Sequence, residues 1–337
     1  MHVPDGFFNA VTSVSAGVVA AAGVAVCLRG ARRELDDRTA PMAGLVAAFI
    51  FAVQMLNFPV AAGTSGHLLG GALAAILVGP YTGVLCMAVV LLVQGVFFAD
   101  GGLTALGINI TIMGLVTVLV GWAVFRLVSG LARGRGGVTL AAFLAALISV
   151  PAAALVFTLL FWIGGTAPIE VSAVAAAMGG VHLLIGIGEG AITAATVGAV
   201  LAVRPDLVYG ARGLAKPLEL RGAGGGSTAV GAPEPVAGEP RGGYRPFLLG
   251  GLGVTLVLAG LVSFVASPDP DGLEAVAETH GFSGRAAHHS FGRWALADYG
   301  EVGGIPVGIA GVVGVGLVLL VAGAVAYAAR RRNKIRV

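Results

Sequence analysis

Charge is what this chain has least of: Asp, Glu, Lys and Arg make up 11% of its 337 residues, against roughly 25% in a soluble globular domain. Too few charges remain to wet a globular surface, which excludes an ordinary cytosolic enzyme. Disorder is excluded too, because a chain with 57% hydrophobic residues would not stay solvated when unfolded. The 55 glycines have no period of three, so a collagen-like repeat is absent. Cysteine is nearly missing: Cys27 and Cys86 sit in apolar runs without motif spacing, and are expected as packing residues with no disulfide. No G-x-x-x-x-G-K-[ST] phosphate loop occurs, so ATP hydrolysis by that route is excluded. H-E-x-x-H and G-x-S-x-G are absent as well, which weakens an intramembrane hydrolase. What remains is an all-α polytopic membrane protein in which glycine and alanine let helices approach closely.

Apolar runs of about 20 residues, the length that crosses a bilayer, lie at Ala10–Leu28, Pro41–Val60, Tyr81–Ala99, Leu103–Phe125, Val138–Gly164, Val171–Val203, Phe247–Ala266 and Gly304–Ala329. A ninth, shorter run covers His67–Gly79. Of the 20 Lys and Arg, all but Arg285 and Arg293 fall in four clusters, Arg29–Arg38, Arg126–Arg135, Arg204–Arg245 and Arg330–Arg336. Cytoplasmic loops are enriched in these residues. All four clusters share one side only if His67–Gly79 and Tyr81–Ala99 cross separately, with Pro80 at the turn. Nine spans are therefore predicted in a multi-pass cell-membrane protein, with the N-terminus outside and the C-terminus cytoplasmic. Met1–Phe8 has no basic n-region and the first run no cleavage site, so no signal peptide is expected.

Residues 204–245 change character, with Gly-Ala-Gly-Gly-Gly-Ser followed by Pro233, Pro235 and Pro240. They read as a flexible cytoplasmic linker between a seven-span unit (1–203) and a two-span unit (246–337). The two-span unit flanks an outside loop, 267–303, and is too small for a core of its own, so it is expected to dock on something.

Polar groups inside spans are expensive and each is a functional candidate. In the opening Met1-His2-Val3-Pro4-Asp5-Gly6, the α-amine, the deprotonated His2 backbone nitrogen and the His2 imidazole can reach one ion. Three nitrogens near a plane suit Ni(II) or Cu(II). His67, at the outer end of the short run, could supply the fourth; as an alternative it is a buried imidazole satisfied by a carbonyl, and Thr64-Ser65 a helix cap. Asp5 with Gly6 reads as a turn returning the N-terminus to the bundle. Asp5, Ser65, Gln94, Asp100, Asn109, His182 and Glu189 could orient the imidazoles or merely bond helix to helix; for His182 and Glu189, seven apart on one helical face, the structural reading is preferred. The outside loop carries six acids (Asp269, Asp271, Glu274, Glu278, Asp298, Glu301) and His280, His288 and His289. They could gather divalent cations or form a solvated loop, with neither EF-hand nor zinc spacing.

Four stretches in order, Met1–Phe7, Gly63–Leu73, Asp100–Asn109 and His182–Gly190, make residues 1–203 resemble the CbiM/NikM substrate-binding component of nickel and cobalt energy-coupling-factor (ECF) transporters. Pro270-Asp271-Gly272-Leu273-Glu274 with its two flanking spans resembles the PDGLE/NikN-type accessory component, here fused through the linker. The resemblance implies a seven-helix S-component bundle plus two further transmembrane helices, threaded by the N-terminus. It implies Ni²⁺ or Co²⁺ as transported ligand, with no resident cofactor, held by the Met1 amine, the His2 backbone and imidazole nitrogens and the His67 imidazole. It also implies partners, a membrane coupling protein of CbiQ/NikQ type and cytoplasmic ATPases of CbiO/NikO type, and no nucleic acid. A non-enzymatic importer subunit with no catalytic residues is thus expected. The rivals are an intramembrane metal-dependent enzyme using His67, His182 and Glu189, and a metal sensor or scaffold.

Overall fold

The computed structural model describes residues 1–36, 39–61, 63–132, 134–212 and 244–330. Along them run α1 (Ala10–Gly30), α2 (Thr39–Gln54), a hairpin of β1 (Phe58–Ala61) and β2 (Thr64–Gly66), α3 (Gly71–Val78) and α4 (Pro80–Val93). A π-helical turn, Gln94–Phe98, extends α4. Next come α5 (Leu106–Asn109), a π-helical stretch Ile110–Val116, α6 (Thr117–Leu131), α7 (Gly134–Gly164), α8 (Val171–Val203), α9 (Tyr244–Gly260), α10 (Gly272–Thr279) and α11 (Val307–Ala329). Among the described residues seven helical stretches are long and apolar enough to cross a membrane.

The second and third expected spans come out shorter, α2 at 16 residues and α3 at 8. At 1.5 Å per residue α3 is only about 12 Å long, so His67–Gly79 is not a helical span of its own. The helix begins at Gly71 because Gly70 adopts a left-handed φ of 88°, and the main-chain N–H groups of Leu69 and Gly70 bond to Glu189 instead of continuing a helix. The break at Gly79-Pro80 is where the sequence put it: Gly79 has φ 97° and Pro80 opens α4, the position where a missing N–H costs nothing. Every residue of α3 is buried, so this short helix is the centre of the bundle.

Small residues set the helix spacing. A Cβ on Gly71 would lie 1.8 Å from Thr117 Oγ1, so α3 and α6 cross with backbones nearly touching, as small-residue interfaces allow. Pro151 inside α7 removes the donor for the Leu147 carbonyl, and Gly186 of α8 packs directly on that oxygen. The two-span unit docks as expected: Gly44 of α2 meets Gly323 of α11, Leu45 of α2 meets Gly251 of α9, and Gly314 of α11 sits against Phe51.

Arg204–Arg212, expected at the head of the linker, folds as two 3₁₀ turns at the end of the bundle. Leu207 and Val208 are buried there and Gly210 lies on Phe125. Residues 213–243, with Lys216, Arg221 and Arg241, lie outside the described residues, as do Arg38, Arg133 and 331–337. At this same end Glu34, buried between α1 and α2, accepts bonds from the main-chain N–H of Tyr81 (3.2 Å) and Thr82 (2.7 Å) and from the Thr82 hydroxyl (2.8 Å). A carboxylate at the N-terminus of α4 is favoured by the helix dipole. Arg29, Arg32, Arg33, Arg126, Arg135, Arg204, Arg212, Arg245 and Arg330 also gather at this end. Met1, the β-hairpin and residues 267–303 occupy the other.

Candidate metal centre

The first nine residues thread between loops and helix ends. Val3 is completely buried, which alone stabilises the threaded segment by roughly 1.5–3 kcal/mol. Its N–H donates to Asn109 Oδ1 (2.8 Å), while its carbonyl accepts from Asn109 Nδ2 (3.1 Å) and from the Gly102 N–H (2.8 Å). Further on, Thr166 N–H donates to the Phe7 carbonyl (3.0 Å) and Asn9 N–H to the Gly164 carbonyl (2.8 Å). The expected turn at Asp5-Gly6 is present, with φ 90° at Gly6. Asp5 itself does not face the candidate donors: its Oδ1 accepts from Thr104 N–H (2.7 Å) and Oγ1 (2.5 Å), tying the turn to the next loop.

This threading puts the Met1 amine in hydrogen-bond contact with His67 Nε2. His67 Nδ1–H donates to the Leu68 carbonyl at 3.0 Å, which leaves the Nε2 lone pair aimed at the amine. The His2 ring stacks on the His67 ring, centroids 4.9 Å apart and planes 20° from parallel. His2 Nδ1 lies 3.2 Å from Asp100 Oδ1 and Nε2 3.2 Å from Gln94 Oε1. Burial pushes the His2 pKa down to about 4, with Asp100 opposing the fall, so the ring is neutral at pH 7. A neutral ring has one N–H, and for Nδ1 to turn its lone pair on an ion beside Met1 and His67 the contact with Asp100 must give way.

Asp271 completes the cluster. Its Oδ2 accepts from the Met1 amine at 2.7 Å and lies 3.5 Å from His67 Nε2. Burial pushes this carboxyl up, but the Met1 ammonium and His67 outweigh burial and hold it well below the usual carboxylate range. The cluster forms the floor of a polar cleft of about 980 Å³, also lined by Asp100, Glu274, Tyr299 and His289. A cavity of similar size, about 970 Å³, on the flank of α2, α8 and α9 is lined almost wholly by apolar side chains, with Asn57, Thr196 and Thr255 its polar members, and holds no histidine, cysteine or carboxylate.

The other predicted residues divide between those that touch the cluster and those that support it. Gln94 joins His2 to Tyr299, donating to the Tyr299 hydroxyl at 3.1 Å, and that hydroxyl donates to Asp100 Oδ2 at 2.5 Å. Asn109 holds Val3, the residue next to the candidate donor His2. Gln94 and Asn109 sit where α4 and α5 pass into π-helical turns, which re-aim side chains and recur at functional sites. Ser65 Oγ donates to the Asp269 carbonyl at 2.7 Å and its N–H to the Pro270 carbonyl at 2.9 Å; it anchors the 267–303 loop and touches no candidate donor. Glu189 holds the peptide after His67, accepting from Leu69 N–H (2.6 Å) and Gly70 N–H (3.0 Å). His182 Nδ1 bonds the Met178 carbonyl of its own helix (2.9 Å), and its Nε2 is buried without a partner. Glu189 thus anchors main chain, and among the described residues no hydrogen bond joins it to His182. His288 is exposed and His280 half-buried, and His289 Nδ1 accepts from its own loop at Phe291 N–H. Cys27 and Cys86 are buried and free, as expected.

Sequence reasoning missed two members. Asp271 figured as one of six loop acids and as part of the PDGLE-like stretch, never beside the N-terminus, and Tyr299 not at all. The Asp-x-x-Glu of Asp271–Glu274 is a helix-start signature that fixes α10, yet nothing local says that the same Asp reaches Met1.

Among the described residues no three His, Cys, Asp or Glu side chains are arranged to hold a metal ion. An ion at this cluster must draw on main-chain nitrogen, which the Met1 amine and the adjoining His2 amide can supply beside two imidazoles. Residues 2–207 match the family described as the cobalt uptake substrate-specific transmembrane region, and 245–331 match the PDGLE domain. A putative metal transport protein of Haloquadratum walsbyi is 40% identical over 209 residues, covering 62% of this chain and 94% of its own length. A putative fused nickel transport protein NikMN of Archaeoglobus fulgidus is 41% identical over 208 residues, 62% of this chain and 68% of its own. A crystal structure of a truncated transition metal transporter superposes with a TM-score of 0.55 at 27% identity, covering 60% of this chain and 99% of that one.

Proposed function

The chain belongs to the cobalt uptake substrate-specific transmembrane region family and carries a PDGLE domain, and from that premise we propose that it captures Ni²⁺ or Co²⁺ for an ECF-type importer. At the coarser level it is a multi-pass membrane component of metal transport. The observation that carries the finer reading is the contact of the Met1 amine with His67 Nε2, with His2 stacked beside it. Met1 N, His2 N and His2 Nδ1 are consecutive donors on one short piece of chain, and His67 Nε2 is the fourth. Four nitrogens near a plane fit Ni²⁺ best, and nickel exceeds cobalt in general affinity for nitrogen sites. The relative with a fused architecture carries nickel in its name.

Energy comes from separate ATPases of CbiO/NikO type through a CbiQ/NikQ-type coupling protein, in keeping with the missing phosphate loop. The cluster faces outside and the Arg-rich end faces the cytoplasm, as the distribution of basic residues favours. The test is nickel calorimetry on the purified chain. His67→Ala and His2→Ala should each abolish tight binding, as should an N-terminal extension that turns the Met1 amine into an amide. Wild-type affinity in any of the three refutes the site.

A further inference from the structure

We propose that Asp271 of the PDGLE segment is the positioning residue and fixed counter-charge of the metal centre, so that the accessory unit directly tunes the affinity of the bundle for its ion. This rests on the function proposed above and assigns to one carboxylate what the second unit contributes to it. The two oxygens of Asp271 divide their tasks. Oδ1 accepts from Leu273 N–H (2.7 Å) and Glu274 N–H (2.9 Å), capping α10, and Glu274 Oε2 in return accepts from Asp271 N–H (3.0 Å). Oδ2 is thereby aimed at the Met1 amine, 2.7 Å away. The loop that carries it is pinned to the bundle on both sides of the cleft. Ser65 bonds the Asp269 and Pro270 carbonyls, Ser267 N–H bonds the Asn57 carbonyl at 2.8 Å, and Ala287 N–H bonds the Asp5 carbonyl at 2.7 Å. Gly272 lies against Ile185, Val181 and His182 of α8, closing the loop over the site.

The charge count gives this contact its purpose. An arriving Ni²⁺ brings two positive charges and displaces two protons to solvent, one from the Met1 ammonium and one from the His2 amide. Empty, the ammonium and the Asp271 carboxylate sum to zero; filled, Ni²⁺, the His2 amidate and the same carboxylate again sum to zero. A coordinated amine keeps two N–H bonds, so Oδ2 can hold the nitrogen in place in both states. Without Asp271 the inner site carries one uncompensated positive charge in both states, which destabilises the threaded N-terminus, and the amine nitrogen loses the acceptor that holds it towards His67, so affinity falls through the lost orientation of a donor.

Asp271→Asn separates this role from capping, because Asn is as good an N-cap as Asp but carries no charge. In nickel calorimetry on the full purified chain it should lower affinity by about 10–100-fold, the usual effect of removing a residue that orients a ligand. The absorption band of planar nitrogen-bound nickel should be unchanged at saturation, since no donor is lost. Glu274→Gln, which disturbs the cap and leaves the Met1 contact in place, should stay within about threefold of the unaltered chain. Wild-type affinity in Asp271→Asn overturns the proposal, and so does an equal loss in Glu274→Gln, which would make loop order the cause. A band that changes in Asp271→Asn would make Asp271 a ligand and overturn the positioning role. Failure of the underlying function is distinct: the unaltered chain would then bind no nickel, or bind it equally with and without His67.

Discussion

Replacing Glu189 by alanine should damage both the fold and the metal centre, and by amounts the structure allows to be worked out. Glu189 is completely buried on α8, and its two oxygens each take one main-chain donor, Leu69 N–H at 2.6 Å and Gly70 N–H at 3.0 Å. Those donors lie between His67 and the start of α3, outside the ladder of any helix. In Glu189→Ala both are left buried without a partner, at about 1–3 kcal/mol each, so the expected loss is roughly 2–6 kcal/mol. For a chain of this length about 2 °C of melting temperature corresponds to 1 kcal/mol, which gives a fall of roughly 4–12 °C in detergent. Glu189→Gln keeps one acceptor oxygen and should fall about half as far. Because the same peptide carries His67, Glu189→Ala should also weaken nickel binding by about tenfold or more. Thermal unfolding followed by far-UV circular dichroism, with calorimetry on the same samples, measures both. A Glu189→Ala protein melting within about 1 °C of the unaltered chain would refute the reasoning, as would Gln and Ala variants that melt together.

Two further outcomes follow from the N-terminal thread. Asn109→Ala orphans the Val3 N–H, while the Val3 carbonyl keeps its bond from Gly102; the roughly 1–3 kcal/mol cost loosens the segment next to the chelate, and hydrogen exchange at Val3 should speed up as nickel affinity drops. Acid should destabilise the metal-free chain through His2: burial lowers its pKa to about 4 in the fold against 6.5 for a histidine in water, so between these values the unfolded chain binds the proton more strongly and stability falls as pH drops from 6.5 towards 4. His2→Gln should flatten that part of a melting-temperature profile, and an unchanged slope would contradict the assignment.

The helical runs were legible because their cause is local. A stretch such as Val171–Val203 is long and apolar enough to be a span wherever it packs, and Gly79-Pro80 breaks the chain by its own dihedral limits. His67–Gly79 was misread as a helix from its first residue because its start is decided by Glu189, which lies 120 residues from Leu69 along the chain. Arg204–Arg212 looked like linker because its polarity was visible and the pocket for Leu207 and Val208 was not.

The centre divides in the same way. The proposed donors Met1 and His2 are adjacent, so the chelating chemistry proposed for them belongs to the sequence, and His67 could be added because scarce charge leaves few polar groups to weigh. Asp271 is 270 residues from Met1, and no periodicity or composition reports a pairing across that distance. The scarcity of charge determined that this is a membrane bundle, and the opening Met1-His2 supplied the nitrogen donors of the proposed site. Only tertiary packing decided which carboxylate meets the Met1 amine, because in a buried cluster the position of each charge is fixed by loops and helices that the chain brings together from far apart.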